Sequence, residues 1–175
     1  YVIDNGRTGT TMPAFGGTLS SLNIDDLVAL IRGWAVPPDD GPIGLPSKDL
    51  GDPVLNPDGD PPDFEGEELY LSNSEVYEAF DAGARMIFLD SRPPSDYVSG
   101  HIPGAVSVPF YDVEDFLDQL PKDEWIVAYC ACPHAESTVA ANTLISNGYS
   151  KVKVLDEGLP KWEEDGYPIK TGAEP

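Results

Sequence analysis

The sequence predicts an α/β fold: a parallel sheet with helices on both faces over residues 68–175, preceded by a short helical segment and a linker rich in Pro, Gly and Asp. Three observations carry this expectation. From Tyr70 onward, short apolar runs alternate with stretches of helical spacing. Upstream, Pro, Gly and Asp crowd residues 36–67, and a single amphipathic stripe precedes them. Short apolar runs between helices read as strands buried on both faces, and parallel strands need a crossover element between them.

Residues 1–35 hold a Gly/Thr-rich loop and then one helix. Asn23 can cap it, and Asp25 and Asp26 lie in the first turn, where the helix dipole favours them. Ile24, Leu27, Val28, Ile31 and Trp34 form one apolar stripe. A single such helix has no core of its own and needs a partner. Residues 36–67 follow as an extended, poorly folding connector. Asp58 and Asp60 flank Gly59 there, as in part of a calcium loop, but no distal bidentate Glu follows at the required spacing. The expectation is a turn-rich linker.

Residues 68–175 then alternate. Tyr70-Leu71 is a short strand. Ser74–Phe80 is a helix, closed by Gly83. Met86–Leu89 and Ala105–Val108 are strands, and Val113–Leu120 is a helix. Trp125–Tyr129 is the central strand, Ser137–Ser146 a helix, Val152–Leu155 a strand, and Leu159–Glu164 a last helix.

Cys130 ends the central strand. The loop Ala131, Cys132, Pro133, His134, Ala135, Glu136 follows it, and Ser137 opens the next helix. First-turn backbone N–H groups lack intrahelical partners and point toward such a position. That setting lowers a thiol's pKa and stabilises an anion on its sulfur, as a nucleophilic cysteine requires. In open parallel sheets, sites lie beyond the carboxyl ends of the strands, where this thiol falls.

Composition narrows the partners. The net charge is −21 at pH 7. Such a surface repels nucleic acid and anionic membranes, and any anion site must rest on local donors. The two cysteines are separated by one residue, so they cannot staple distant parts of a fold. No run is long and apolar enough to span a bilayer. The chain opens at Tyr1 rather than Met, which suggests a piece of a longer product.

Four blocks resemble the rhodanese (sulfurtransferase) superfamily. The first is Leu89-Asp90-Ser91-Arg92-Pro93-Pro94 with Tyr97. The second is Gly100-His101-Ile102-Pro103-Gly104-Ala105. The third is the strand into Cys130, with Ala140-Ala141, Leu144 and Gly148-Tyr149. The fourth is Val154-Leu155-Asp156-Glu157-Gly158-Leu159-Pro160, with Trp162 and Gly166-Tyr167-Pro168. The resemblance implies that Cys130 takes a sulfane sulfur as a persulfide and passes it to a thiophilic acceptor. The substrate would be a small sulfur-containing anion or a thiol persulfide. It also implies that His101 shapes a turn and that Asp90 and Arg92 order the neighbouring loop by pairing.

The loop departs from the family pattern. Pro133 stands near the place of a loop glycine and Glu136 near that of a basic residue. The loop also resembles the longer one of related phosphatases, which end it with Arg to bind phosphate, a role Glu136 cannot fill. Without a loop cation, polysulfide or a thiol-borne persulfide becomes a better donor than thiosulfate. Cys132 has two readings, a small loop residue or a second thiol that resolves a persulfide or sulfenate on Cys130. His134 likewise has two, an exposed loop histidine or a group that adds positive charge or shuttles a proton. Cys130, Cys132 and His134 show no fourth ligand for a metal. A catalytically silent binding or carrier module is the rival to the enzyme.

Residues 1–35 resemble the C-terminal end of a small c-type cytochrome, through Asn5-Gly6-Arg7, Thr11-Met12-Pro13-Ala14-Phe15-Gly16-Gly17 and the helix through Trp34. In that family the Met of Met-Pro is an axial haem ligand, here Met12. No Cys-x-x-Cys-His is present, so no cofactor is expected in this chain, and haem c only if a complete cytochrome lies upstream. The resemblance implies a bacterial periplasmic protein with an electron-transfer partner. The stripe of that helix must bury itself, on the rhodanese-like part or on a second copy, which admits a homodimer through residues 1–35.

Overall fold

The computed structural model describes residues 44–64, 66, 68–131 and 134–175. The expectations for the cytochrome-like fragment with Met12, for the first part of the linker, and for Cys132 and Pro133 lie outside the described residues.

Ten short elements build the domain: β1 (Tyr70–Leu71), α1 (Asn73–Asp81), β2 (Ile87–Asp90), α2 (Pro94–Ser99), β3 (Val106–Ser107), a 3₁₀ turn (Val113–Phe116), β4 (Ile126–Tyr129), α3 (Ala135–Ser146), β5 (Val152–Leu155) and α4 (Gly158–Glu164). The strands form one parallel sheet in the order β1-β5-β4-β2-β3, with β4 in the middle. The expected α/β architecture is thus present. All residues of β2, β4 and β5 are buried, which is why they read as unbroken apolar runs.

The two faces bury different sets. Ile87, Leu89, Ile126, Ala128, Val152 and Val154 pack under α3 with Ala140, Ala141 and Leu144. Phe88, Val127, Tyr129 and Leu155 face Val76, Tyr97, Leu159 and Trp162 on the other side. Trp162 sits among Tyr77, Phe80, Phe88 and Tyr167, edge-on to each, and its indole N–H donates to Pro168 O at 2.9 Å. Burial of such rings is the main stabilising term for a sheet this small.

Helix α1 begins with a capping box. Ser72 Oγ accepts the Glu75 N–H, and the Glu75 carboxylate accepts the Ser72 N–H at 3.0 Å.

Three local expectations change. Only a 3₁₀ turn forms where the spacing predicts a helix over Val113–Leu120. Val113, Phe116 and Leu120 still bury one face, but no side chain caps the turn, and Pro121 disfavours helix in the residue before it. Helix α2 appears where no helix is expected, with Pro94 in its first turn, where a missing N–H costs nothing. Finally, the composition of residues 36–67 predicts a poorly folding connector, yet residues 44–64 pack on the domain. Leu50 and Phe64 are buried in the two faces, Leu55 pairs with Met86 through N–H···O bonds of 2.8 and 3.3 Å, and Arg85 N–H donates to Asp60 O. Proline and glycine here serve an extended path over a surface, which composition alone does not distinguish from a free chain. Among the described residues no helix is long and apolar enough to cross a membrane.

Candidate functional site

Cys130 follows the last residue of β4 and is wholly buried. Its parity with Ala128 turns it to the α3 face of the sheet, and its sulfur accepts the Ser137 hydroxyl at 3.5 Å. The Cys130 carbonyl accepts the Leu159 N–H at 2.9 Å, which ties the strand end to α4. Asp90 pairs in register with Tyr129, and Ser91 N–H donates to Tyr129 O at 2.9 Å. Ser91 therefore stands beside Cys130 on the neighbouring strand. Its hydroxyl is buried with no hydrogen-bond partner among the described residues.

The loop returns the chain to α3. Ala131 and Ala135 are exposed, Glu136 is half-buried in the first helical turn, and Ser137 is buried. The first-turn N–H groups of this twelve-residue helix have no intrahelical acceptor and lie at the Cys130 end of the sheet. An anion there gains from both these donors and the helix dipole.

His134 precedes α3 in the left-handed region, at φ 43°. Its Nδ1 lies 2.8 Å from Asp156 Oδ1, and its ring tilts against Tyr70 with centroids 4.7 Å apart. Thr138 returns both its N–H, at 2.9 Å, and its hydroxyl to the His134 carbonyl. Asp156, Tyr70 and Thr138 are neighbours that sequence reasoning did not assign. Asp156 stands in the matching fourth block, but nothing in the spacing pairs it with a residue 22 positions away.

Asp90, Arg92 and His101 do not join Cys130. They lie on the opposite face, with Tyr97 and Tyr129. Arg92 makes a bidentate pair with Asp90, at 2.9 Å through Nε and 2.5 Å through an outer nitrogen, and also donates to Gly100 O at 2.6 Å. Burial opposes the guanidinium charge, but the Asp90 carboxylate overcomes it and holds Arg92 above its usual range. Tyr129 is driven well above the phenol range by burial and by the nearby Asp90. Its hydroxyl accepts the Ile102 N–H at 3.1 Å. Gly104 closes this turn at φ 80°, and a Cβ there would meet Leu55 at 2.6 Å, so the block needs glycine at this place.

His101 stacks on Tyr97 at 3.8 Å, with its ring nitrogens 2.8 Å from Tyr97 O and 3.1 Å from Glu174 O. Burial pushes it below the ordinary histidine range, against the pull of those carbonyls and of Asp90. A base depressed on folding binds more protons when unfolded. The stability it contributes is therefore present above the ordinary value of 6.5 and declines as the pH falls below it. Thermal melts from pH 7.5 to 5 should lose stability more steeply for the native chain than for His101→Gln. Equal slopes would remove His101 from the account.

A cleft of about 560 Å³ lies at the β3 edge, between residues 44–51, Tyr97, Ser107 and residues 173–175. It contains none of the expected site residues. Among the described residues, no group of three or more His, Cys, Asp or Glu could hold a metal ion.

Three comparisons bear on this geometry. The family described as Rhodanese-like domain matches residues 72–165. A sulfurtransferase of Allochromatium vinosum is 32% identical over 84 residues, covering 48% of this chain and 78% of that protein. An HTH-type transcriptional regulator of Mycobacterium tuberculosis is 33% identical over 103 residues, covering 59% of this chain, but the match spans only 45% of the regulator's length. Among solved structures, the rhodanese-like domain of an Anabaena protein superposes with a TM-score of 0.55 at 31% identity, covering 59% of this chain and 80% of that one.

Proposed function

Since the chain belongs to the rhodanese-like domain family, matched over residues 72–165, we propose that it is a sulfurtransferase that carries sulfane sulfur on Cys130 and passes it to a thiophilic acceptor. One observation carries this reading. The Cys130 sulfur lies at the carboxyl end of the central strand, on the α3 face, with the Ser137 hydroxyl of that helix's first turn donating to it. In the loading step, the Cys130 thiolate attacks the terminal sulfur of a polysulfide. A new S–S bond forms, the donor's S–S bond breaks, and the shortened polysulfide leaves with the electron pair. The first-turn N–H groups stabilise the anionic terminal sulfur left on Cys130. Mass spectrometry after exposure to polysulfide should find one added sulfur on the peptide containing Cys130, removed by thiol or cyanide. An unmodified Cys130 would sink the reading.

Glu136 tunes the donor. A carboxylate in the first turn of α3 favours the helix dipole but opposes a second negative charge in the same cradle. Two like unit charges a few ångströms apart cost on the order of a few kcal/mol at an effective dielectric near 20. Glu136→Arg should therefore lower the thiosulfate KM by roughly tenfold, most clearly at low salt. A KM that is unchanged or higher would mean the Glu136 side chain points away from the cradle. The same carboxylate supports a second reading, a carrier or docking module that holds sulfur without turnover. Loaded protein that releases nothing to thiol or cyanide would favour it.

The wider setting follows from the sequence. We read residues 1–35 as a cytochrome c end, with Met12 as an axial haem ligand only if a complete cytochrome lies upstream, and residues 44–175 as the sulfurtransferase domain. That arrangement suits a periplasmic protein with an electron-transfer partner, acting in sulfur oxidation or detoxification. The apolar stripe of Ile24, Leu27, Val28, Ile31 and Trp34 would bury itself on the rhodanese-like domain or on a second copy.

A further inference from the structure

We propose that His134, oriented by Asp156, is the base of the acceptor step: it takes the proton from an incoming thiol as that thiol attacks the persulfide on Cys130. The inference rests on the sulfurtransferase reading above and deepens it. The Nδ1 side of the ring is occupied, 2.8 Å from Asp156 Oδ1 and 3.3 Å from Asp156 O. A carboxylate on one ring nitrogen fixes the tautomer and leaves the other, Nε2, to accept a proton. The ring is 42% exposed, so an acceptor can reach it from solvent.

The placement is built from several elements. Tyr70 on β1 supports the ring, Asp156 after β5 holds one nitrogen, and Thr138 on α3 holds the backbone carbonyl. The Tyr70 hydroxyl in turn lies 3.3 Å from Thr138 Oγ1. A left-handed φ at a non-glycine residue costs free energy and persists only where the surroundings impose it. The ion pair does not explain that cost, because a half-exposed pair contributes little to stability. Contacts from three elements fix this residue on the loop that begins at Cys130, in a conformation of the kind that clusters at functional sites. Among the described residues, the titratable groups facing the ring are the Asp156 carboxylate and the Tyr70 phenol, with Glu136 two residues on in the first turn of α3.

The step balances without an oxidant. The thiol proton moves to His134 Nε2. The thiol sulfur uses its electron pair to bond the terminal sulfur on Cys130. The bond from that sulfur to Cys130 breaks, its pair stays on the Cys130 thiolate, and the acceptor leaves as a persulfide.

The test starts from protein already loaded with sulfur, its mass verified before any acceptor is added. His134→Asn suits it, because asparagine tolerates left-handed φ better than most residues. Two acceptors are compared at neutral pH: an alkyl thiol, mostly protonated, and an aryl thiol, already ionised. Loss of a general base should slow alkyl-thiol transfer by roughly 10²-fold. It should lower the alkyl-to-aryl rate ratio by at least about tenfold and be partly restored by added imidazole. Asp156→Asn should move the ratio the same way by less. An equal loss with both thiols, no loss, or no rescue by imidazole would overturn the assignment. If the native chain never acquires the sulfur, the sulfurtransferase reading fails first and this inference falls with it.

Discussion

Cys130→Ser is expected to abolish sulfur uptake, with turnover reduced by more than about 10³-fold, in a protein that still folds. Serine keeps the size of the side chain but not its chemistry. At neutral pH a hydroxyl holds almost no anion. The hydroxyl can still meet Ser137, which now donates to the sulfur at 3.5 Å, so the buried polar atom keeps a partner. The stability cost should stay within about 2 kcal/mol. A melting curve close to that of the native chain, with no sulfur adduct after polysulfide treatment, is the expected pair of results. Cys132→Ser should retain at least part of the adduct. If Cys132→Ser loses sulfur uptake and Cys130→Ser keeps it, the nucleophile has been misassigned.

The central part of this fold is legible in the sequence because its strands are buried on both sides. Such strands carry no alternation, only compact apolar runs, and Val152–Leu155 is recovered residue for residue. Lys153 does not break that pattern although it is buried. Its ammonium reaches back to Gly66 O and Glu68 O at 3.0 and 2.6 Å, a solution that depends on a neighbouring segment and leaves no local trace. Cys130 is legible because a strand end and a helix start meet on either side of one short loop. Its neighbours are less so. Ser91 comes beside it through strand register, and Asp156 comes to His134 through the sheet order. Both are products of topology, which a linear pattern does not encode. Helix α2 and the 3₁₀ turn are short enough that capping and proline placement, rather than periodicity, decide them.

That division separates the residues that make the site from those that hold it up. Asp90 ends the strand beside Cys130 and Tyr129 directly precedes it, yet their side chains, with Arg92 and His101, lie on the other face of the sheet. Their contacts run to the turn before β3 and to the chain after α4. Substitutions there should alter how much folded protein exists before they alter its chemistry. Substitutions at Ser137, Glu136 or His134 should do the reverse.

Arg92→Met is expected to be the most destabilising single change of this set, by about 3–5 kcal/mol. The Asp90 side chain is wholly inaccessible and that of Arg92 is 8% exposed. Arg92 supplies two charge-assisted bonds to the carboxylate and a third to the Gly100 carbonyl, and its guanidinium lies 5.9 Å from the centre of the Tyr129 ring. Without it, Asp90 keeps the Arg92 backbone N–H at 3.0 Å and the Tyr129 hydroxyl, both uncharged, and its buried charge loses the group that compensated it. Most of the penalty is therefore the stranded carboxylate rather than the pair itself. Removing the charge as well should recover much of the loss, so Asp90→Asn combined with Arg92→Met should be more stable than Arg92→Met alone. Denaturant unfolding of the two variants and of Asp90→Asn closes the double-mutant cycle. Additive losses would show that the two side chains do not depend on each other and would remove the ion pair as the support of this turn. At temperatures where the Arg92→Met protein remains folded, Cys130 should still take up sulfur, because its sulfur and Ser137 lie on the other side of the sheet.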